Sequence, residues 1–344
     1  MTALTSSRAV PRPAGTPRRV AAVLGAAGTL GACVVLSLMI GNERLDPLTV
    51  LRELVSPGAT PARDIVRGLR LDRTVIALVV GLALGAAGAL MQALTRNPLA
   101  DPGLLGVNAG AAAAVVTGIA FVGVSGPGVQ IWLAFAGAAA ASVVVYVLGS
   151  GGRASTTPVR LALAGAALTA VLSAYVNGVA LSSQASFDTM RFWLVGSVVG
   201  REISVLGTVW PFLVAGGLVA ALVTPALNAL ALGEDTGRAL GVHLGRVRIL
   251  TAIAITLLCG AATALAGPIT FLGLVVPHVA RHLAGPDQRW VLPLSALLSA
   301  ALLLLADTVG RVASEREVEA GIMTAFIGAP VFLLLVRRRR LAHL

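Results

Sequence analysis

Residues 71–110 read LDRTVIALVVGLALGAAGALMQALTRNPLADPGLLGVNAG, and this stretch decides the fold. It consists of two apolar runs joined by a polar hinge at residues 96–103. Each run has about the length of a transmembrane helix, which needs roughly 20 apolar residues. Pro98 and Pro102 predict that the first helix ends in the hinge and a second begins, because proline cannot continue a helix. Asn97 and Asp101 each precede a proline and suit the capping position of a helix that starts with Pro. The stretch therefore predicts a helical hairpin in a membrane.

The composition extends this interpretation to the whole chain, which is 57% hydrophobic and 12% charged, with a mean hydropathy of +0.90. A soluble helical protein of this length would carry charges on every turn of its surface helices, and such stripes are absent. We predict an all-α, polytopic membrane protein with about ten transmembrane helices. The predicted spans lie at 19–40, 71–95, 103–123, 128–150, 158–182, 204–227, 246–266, 268–283, 290–308 and 321–337.

The remaining segments predict the domain organisation. Residues 1–18 are rich in proline and arginine and predict a disordered cytoplasmic tail. Residues 19–338 form the transmembrane domain, with an external loop at 41–70 and the largest cytoplasmic loop at 228–245. Residues 339–344 form the cytoplasmic C-terminus.

The formal charge of +11 would suit a nucleic-acid-binding protein, but its distribution indicates a membrane orientation instead. All 26 basic residues are arginine. If the N-terminus is cytoplasmic, sixteen arginines and four acids lie on the cytoplasmic side, and ten of each lie outside. Cytoplasmic excess of positive charge is the usual pattern in inner membrane proteins. We therefore predict cytoplasmic N- and C-termini, contact with membrane lipid, and no nucleic-acid partner.

Several motifs in conserved order resemble the FecCD/BtuC-type permease subunits of bacterial ATP-driven importers for iron-siderophore complexes and vitamin B12. The family's R-L-P-R motif is matched by residues 70–73, and its M-Q and N-P-L-A-x-P-x-x-L-G motifs by residues 91–92 and 97–106. Further matches are Arg191-Phe192-Trp193, residues 232–241, Ala266-Gly267-Pro268-Ile269, Gly273–His278 and Ala325–Pro330. The sequences of these motifs are most similar to those of the ferric-enterobactin branch of the family.

The resemblance implies a type II ABC importer permease fold and a transport function. The chain would pass an iron(III)-siderophore across the membrane by alternating access, paired with itself or with a homologous permease subunit. Two cytoplasmic ABC ATPase subunits and an external substrate-binding protein would complete the importer. The alternatives are a vitamin B12 or heme importer permease of the same family, and a gradient-driven secondary transporter.

The resemblance also implies a docking site for the binding protein, formed by Arg70, Arg73 and Arg311. We expect these arginines to form a basic patch at the rim of the external mouth, where they would meet acidic residues of the partner. Asp72 replaces the proline of the family motif and is expected to neutralise part of their charge. Local acids or lipid phosphates are the alternative partners for these arginines.

A cytoplasmic segment is the candidate contact for the ATPase. Glu234 and Asp235 suit a helix N-terminus and Gly241 suits a C-terminal cap, so a helix of about two turns is expected between them. The residues alone fit an ordinary amphipathic loop helix equally well, whereas the resemblance implies docking of the ATPase. The segment's candidate coupling residues are Leu232, Gly233, Glu234, Asp235, Thr236, Arg238, Leu240 and Gly241.

The chain has no lysine and therefore no P-loop, whose lysine contacts the phosphates of ATP. It is predicted not to be an enzyme, and ATP and Mg²⁺ would bind to the partner ATPase subunits. No cofactor is expected on this chain, and no metal, because His278 and His282 lie one turn apart without a third ligand.

Asp307 is the one ionisable residue inside a long apolar run, and we expect it to pair with an arginine at the outer boundary.

Small residues in the second span predict close helix packing. Gly81, Gly85 and Gly88 lie on a face of the kind that lets two helices approach closely. Together with Gln92, Asn97 and Pro98, they are assigned to the packing of a central helix or to the translocation path. Cys33 and Cys259 lie in separate apolar runs and are predicted to be free thiols.

Overall fold

The computed structural model describes residues 15–41, 43, 45–55, 60–124, 126–150, 158–182, 184–314 and 317–337. These residues form helices and no strands. Most of the predicted N-terminal tail and all of residues 339–344 lie outside the described residues. The helices are α1 (Thr16–Met39), α2 (Pro47–Val55), α3 (Pro61–Thr95), α4 (Val107–Val122), α5 (Pro127–Ser150), α6 (Pro158–Leu181), α7 (Gln184–Val195), α8 (Leu206–Ala231), α9 (Glu234–Ala239), α10 (Leu244–Ala266), α11 (Leu272–Ala284), α12 (Gln288–Val312) and α13 (Ala320–Arg337).

The polytopic helical fold is confirmed, and each of the ten predicted spans corresponds to one helix. Seven helices among the described residues are long and apolar enough to cross a membrane. Helices α4 and α13 are apolar but shorter, and α11 has only 13 residues. At a rise of about 1.5 Å per residue, α11 covers about 20 Å and is too short to cross the roughly 30 Å core alone.

Several predicted boundaries are wrong for identifiable reasons. Helix α1 begins at Thr16, inside the predicted tail, with Pro17 in the first turn, where its missing N–H costs nothing. The predicted external loop 41–70 contains α2 and the first ten residues of α3. The predicted span 268–283 starts later, at Leu272, because Gly267 adopts a φ of 73° and Pro268 follows it.

Two further differences concern short elements. The predicted span 103–123 begins with a 3₁₀ turn at Pro102–Leu105, and the helix itself starts at Val107 after Gly106, whose φ is 73°. Helix α7 was not predicted, because its 12 residues include charged and polar side chains and give no transmembrane signal.

Helix α3 is the centre of the bundle, and its most apolar window is 72% buried. It packs against α8, α10, α11 and α12. By contrast, the corresponding windows of α1, α6 and α8 are each 17% buried in the single chain. The bundle is therefore a core of α3, α10 and α12 surrounded by helices that present most of their surface outwards.

The polar hinge after α3 is held by local side-chain bonds. Arg96 ends the helix with a φ of 49°, and the Asn97 carboxamide oxygen accepts a hydrogen bond from Leu99 N–H at 2.9 Å. Asp101 caps the 3₁₀ turn as predicted, accepting from Gly103 N–H at 2.8 Å. Asn97 forms a turn and caps no helix, which corrects its predicted role. Burial raises the pKa of the Asp101 carboxyl above its ordinary value.

Candidate functional site

Two of the three arginines that were expected to dock a partner protein pair with one buried carboxylate, Asp307. Arg73 Nε donates to Asp307 Oδ1 at 2.9 Å, and Arg311 Nη2 donates to Asp307 Oδ2 at 2.5 Å. Arg73 Nη1 also donates to Glu317 Oε2 at 2.6 Å. Asp307 is 0% exposed, and Arg70, Arg73 and Arg311 are 6%, 8% and 3% exposed. The predicted pairing of Asp307 with an arginine is therefore confirmed, and it involves two.

The same arginines hold the end of α1. Arg70 Nη1 donates to the carbonyl oxygens of Leu38 and Met39, each at 2.9 Å, and Arg311 Nη1 donates to Ser37 O at 2.7 Å. The last carbonyls of a helix have no partner within the helix, so these guanidinium groups satisfy them. The cluster ties α1, α3 and α12 together at one end of the bundle.

This geometry corrects the expected exposed basic patch. Arginine side chains at a rim were expected to lie in water, but their donors are directed inward to Asp307 and to the end of α1. Asp72 does not neutralise them, since its carboxylate accepts a hydrogen bond from Ile203 N–H at 3.2 Å. Asp307 and Glu317 supply the compensating charge, and both lie more than 230 residues from Arg73 in the chain.

The arginine cluster nevertheless lines a cavity. A cavity of about 380 Å³ is bounded by Arg70, Arg73 and Arg311, with Glu317 at its edge. A second cavity, of about 420 Å³, shares Glu317 and is lined by Trp193, Ser197, Arg201 and Glu319. Burial lowers the pKa of the half-buried Arg201 guanidinium. The two cavities place several arginine and glutamate side chains at one end of the bundle.

The expected short helix at the other end is present as α9, with Glu234 and Asp235 in its first turn. Gly241 follows the helix with a φ of 81°, a conformation that favours glycine over other residues. Leu232 and Leu240 flank α9 and are 69% and 63% exposed. Asp235, Thr236 and Arg238 are exposed as well. The segment from Leu232 to Leu240 thus presents two apolar side chains and several polar ones on an exposed surface.

Glu234 connects this short helix to the bundle. Its carboxylate pairs with Arg248 of α10 at 2.7 Å and with Arg96 of the hinge at 3.9 Å. It also lies 3.8 Å from Arg238 one turn further along α9. Glu234 is therefore directed inward, whereas Asp235 beside it has a fully exposed side chain. Sequence reasoning grouped these two acids, and the structure gives them different environments.

The small residues of α3 are found at helix crossings. A Cβ added to Gly81 or Gly85 would overlap the backbone of α12, and one added to Gly88 would overlap the backbone of Gly273 in α11. Gln92, which is fully buried, donates to Gly273 O at 3.2 Å and Leu274 O at 2.9 Å, and accepts from Arg281. These four residues fix α3 against α11 and α12. Asn97 and Pro98 lie outside this contact, in the hinge.

Among the described residues, no group of three or more His, Cys, Asp or Glu side chains could hold a metal ion. His278 and His282 lie edge to face, with ring centroids 4.9 Å apart. His278 is buried in α11, next to Arg281. Cys33 and Cys259 are free and buried, as predicted.

A profile of the FecCD transport family matches residues 29–338. The chain is 49% identical to the ferric enterobactin transport system permease protein of Escherichia coli (strain K12) over 324 residues, covering 93% of the chain and 96% of that protein. It is 42% identical to a siderophore transport system permease protein of Bacillus subtilis (strain 168), covering 89% and 92%. A cobalamin import permease of Halobacterium salinarum is 38% identical, covering 82% and 76%. Among solved structures, a metal-chelate type ABC transporter in an inward-facing conformation matches with a TM-score of 0.76 and 29% identity, covering 92% of this chain and 98% of that one.

Proposed function

The chain belongs to the FecCD transport family, and from this premise we propose that it is the permease subunit of an ATP-driven importer for an iron(III)-siderophore. The observation that carries the proposal is the 49% identity to a ferric enterobactin permease over nearly the full length of both chains. The cargo is a ferric catecholate, which the chain passes inward by alternating access. Both termini lie in the cytoplasm, consistent with the arginine distribution along the chain.

Uptake into proteoliposomes tests this function. The chain is reconstituted with its cognate permease partner, ATPase and binding protein, and iron-labelled ferric enterobactin and cobalt-labelled cobalamin are offered separately. We expect ATP-dependent accumulation of the ferric catecholate and none of cobalamin. Accumulation of cobalamin alone would favour the vitamin B12 alternative, which has support from the cobalamin permease relative.

The energy source follows from two features of the chain. It has no lysine, so it lacks the P-loop that binds ATP, and a separate ATPase must supply the work. Gradient-driven transporters normally use ionisable side chains inside the membrane as ion relays. Asp307 is already neutralised by Arg73 and Arg311 and does not suit such a relay. Uptake that persists without the ATPase would support the gradient-driven alternative.

The ATPase contact is proposed to be α9 with its flanking residues. Leu232 and Leu240 are exposed leucines outside the predicted spans, and exposed apolar side chains surrounded by polar ones are typical of protein contacts. Glu234 links this surface to α10 and, through Arg96, to the end of α3. A displacement of α9 would therefore be transmitted to the central helix α3 through these ion pairs.

The binding protein is proposed to dock at the arginine-lined cavity. The cavity lining presents the three arginines together with Glu43 and Glu317, and Asp307 pairs with Arg73 and Arg311, so docking relies on individual guanidinium donors that meet an acidic side chain and not on a net positive charge. Glu317 is the partly exposed member of this cluster, with a 33% exposed side chain. Glu317→Gln leaves Arg73 less neutralised and is expected to raise the association rate of the binding protein a few-fold at low salt.

A matched control is Glu202→Gln, which removes one exposed acid from the loop before α8. It changes the net charge equally but lies outside the lining of the arginine cavity. Equal association rates for the two variants, measured by stopped-flow mixing, would exclude the cavity as the docking site.

A second permease subunit is proposed to cover α6. The exposed face of this helix carries Ala166, Ala170 and Ala174, and small residues let helices from two subunits approach closely. Its most apolar window is 17% buried in the single chain. Cysteine cross-linking at position 170 is expected to give a covalent permease dimer, homo- or heterodimeric according to the partner present.

A further inference from the structure

An apolar cleft runs between α5 and α10, away from both proposed docking sites. It has a volume of about 390 Å³ and is bounded by Phe135 and Val147 on α5 and by Ile249 and Leu257 on α10. The Ser142 hydroxyl in its wall donates to Ala138 O at 2.9 Å, so its hydrogen bond is satisfied within its own helix. Tyr146 and Thr256 also line the cleft, but its other side chains are alanine, valine, isoleucine, leucine and phenylalanine, so its surface is mainly hydrocarbon.

One end of the cleft is marked by a cation on the same helix face. Arg246, Ile249, Ile253 and Leu257 follow one another at spacings of three and four residues, which places them on one side of α10. Arg246 is exposed and forms no salt bridge among the described residues. From Arg246 to Leu257 the helix rises about 16 Å, close to half of the roughly 30 Å hydrocarbon core. A charge at the headgroup level is thus followed by an apolar cleft that reaches to about the middle of the bilayer.

The side chains along the cleft distinguish lipid from a second protein helix. Val143, Val147, Ile249 and Ile253 are bulky and exposed at its rim. Close helix pairs in membranes favour small residues at the exposed surface, as on α6, whereas the small residues of this cleft, Ala139, Ser142 and Ala252, are less exposed than its bulky rim. Bulky branched side chains around a cleft leave space for a flexible chain and keep another helix backbone at a distance.

We propose that this cleft binds an anionic phospholipid, with one acyl chain between α5 and α10 and the phosphodiester on Arg246. The cleft's place in the cytoplasmic leaflet rests on the orientation proposed above. Anionic headgroups are attracted to arginine near the membrane surface, and the acyl chain removes the apolar walls from contact with the rest of the bilayer. The site is separate from cargo transfer and makes retention of one lipid class a property of this permease.

Lipid titration followed by native mass spectrometry tests the proposal on the full chain. Delipidated protein in detergent is titrated with phosphatidylglycerol or phosphatidylcholine of identical acyl chains. We expect the first lipid to bind about fivefold more tightly as phosphatidylglycerol, the effect of one arginine near the surface. Arg246→Gln should abolish this preference, and the control Arg289→Gln, which removes another exposed arginine, should retain it.

A second pair of variants tests the acyl-chain cleft. Ala139→Phe places a large side chain in the cleft. Ala140→Phe is the control, because Ala140 is the next residue of the same helix, is exposed, and does not line the cleft. Ala139→Phe should lower the affinity for both lipids at least several-fold, and Ala140→Phe should not. Equal lipid binding by both variants, or loss of the permease dimer instead of lipid in Ala139→Phe, would overturn the proposal. Monodisperse elution of each variant confirms that it is folded, and none of these readouts requires transport activity.

Discussion

Asp307→Asn is expected to destabilise the protein strongly, because the carboxylate compensates two buried guanidinium groups. Arg73 retains Glu317 at 2.6 Å after this change, but Arg311 has no other salt-bridge partner among the described residues. Removing one member of a buried ion pair costs about 3–5 kcal/mol, since the remaining charge stays out of water. We therefore expect the free energy of unfolding to fall by about that amount, with most of the loss due to Arg311.

Two further variants separate this explanation from a general loss of packing. Asp307→Asn combined with Arg311→Met removes both charges and should recover part of the lost stability, since the unpaired charge is gone although Ser37 O loses its donor. Glu317→Gln should cost at most about 1 kcal/mol, because its carboxylate is partly exposed and screened.

The two free cysteines provide the assay. Cys33 and Cys259 are buried in α1 and α10, so a thiol-reactive fluorophore labels them when the bundle opens on heating. The single variant should melt about 6–20 °C below the wild type, from a loss of about 3–5 kcal/mol at about 2–4 °C per kcal/mol for large domains. An unchanged melting temperature for Asp307→Asn, or an equal drop for Glu317→Gln, would refute the assignment of Asp307 as the central counter-ion.

Three other predictions concern the rest of the molecule. Leu240→Asp should reduce co-purification of the ATPase several-fold without changing the melting temperature. Glu234→Arg should lower both the co-purification and the melting temperature, because the new arginine would repel Arg96, Arg238 and Arg248. Gly88→Val should cost at least about 1–3 kcal/mol by overpacking α11; Gly25→Val, with no atom within 4 Å of the added Cβ, should melt as the wild type does. A reporter after His343 should be active in the cytoplasm and one inserted near Ala59 outside, and the reverse pattern at either position would contradict the ten-span orientation.

The spans could be predicted from the sequence because their signal is local. Hydropathy over about 20 residues locates a helix in lipid wherever the rest of the chain lies. The Asp101 cap and the short helix beginning at Glu234 were also predicted from neighbouring residues, and both are present. Helix α11 shows the limit of this signal, since hydropathy predicts a span at 268–283 while only the 13 residues Leu272–Ala284 are helical.

The environment of the arginines could not be predicted in the same way. Arg73 and Asp307 lie 234 residues apart, and no spacing rule connects them. The nearby Asp72 was the natural candidate, yet its carboxylate accepts a hydrogen bond from Ile203 N–H instead. The different surroundings of Glu234 and Asp235 likewise depend on Arg96 and Arg248, which belong to other elements.

Helix α3 joins the two ends of the molecule as a single rod. The 26 residues from Arg70 to Thr95 correspond to a length of about 39 Å, from the arginine cluster to the hinge that contacts α9. The backbone contacts at Gly81, Gly85 and Gly88 lie between these two ends and hold α3 against α12 and α11. Because these contacts hold α3 against its neighbours, a displacement of the hinge through Glu234 and Arg96 is expected to be carried along the helix to the arginine cluster.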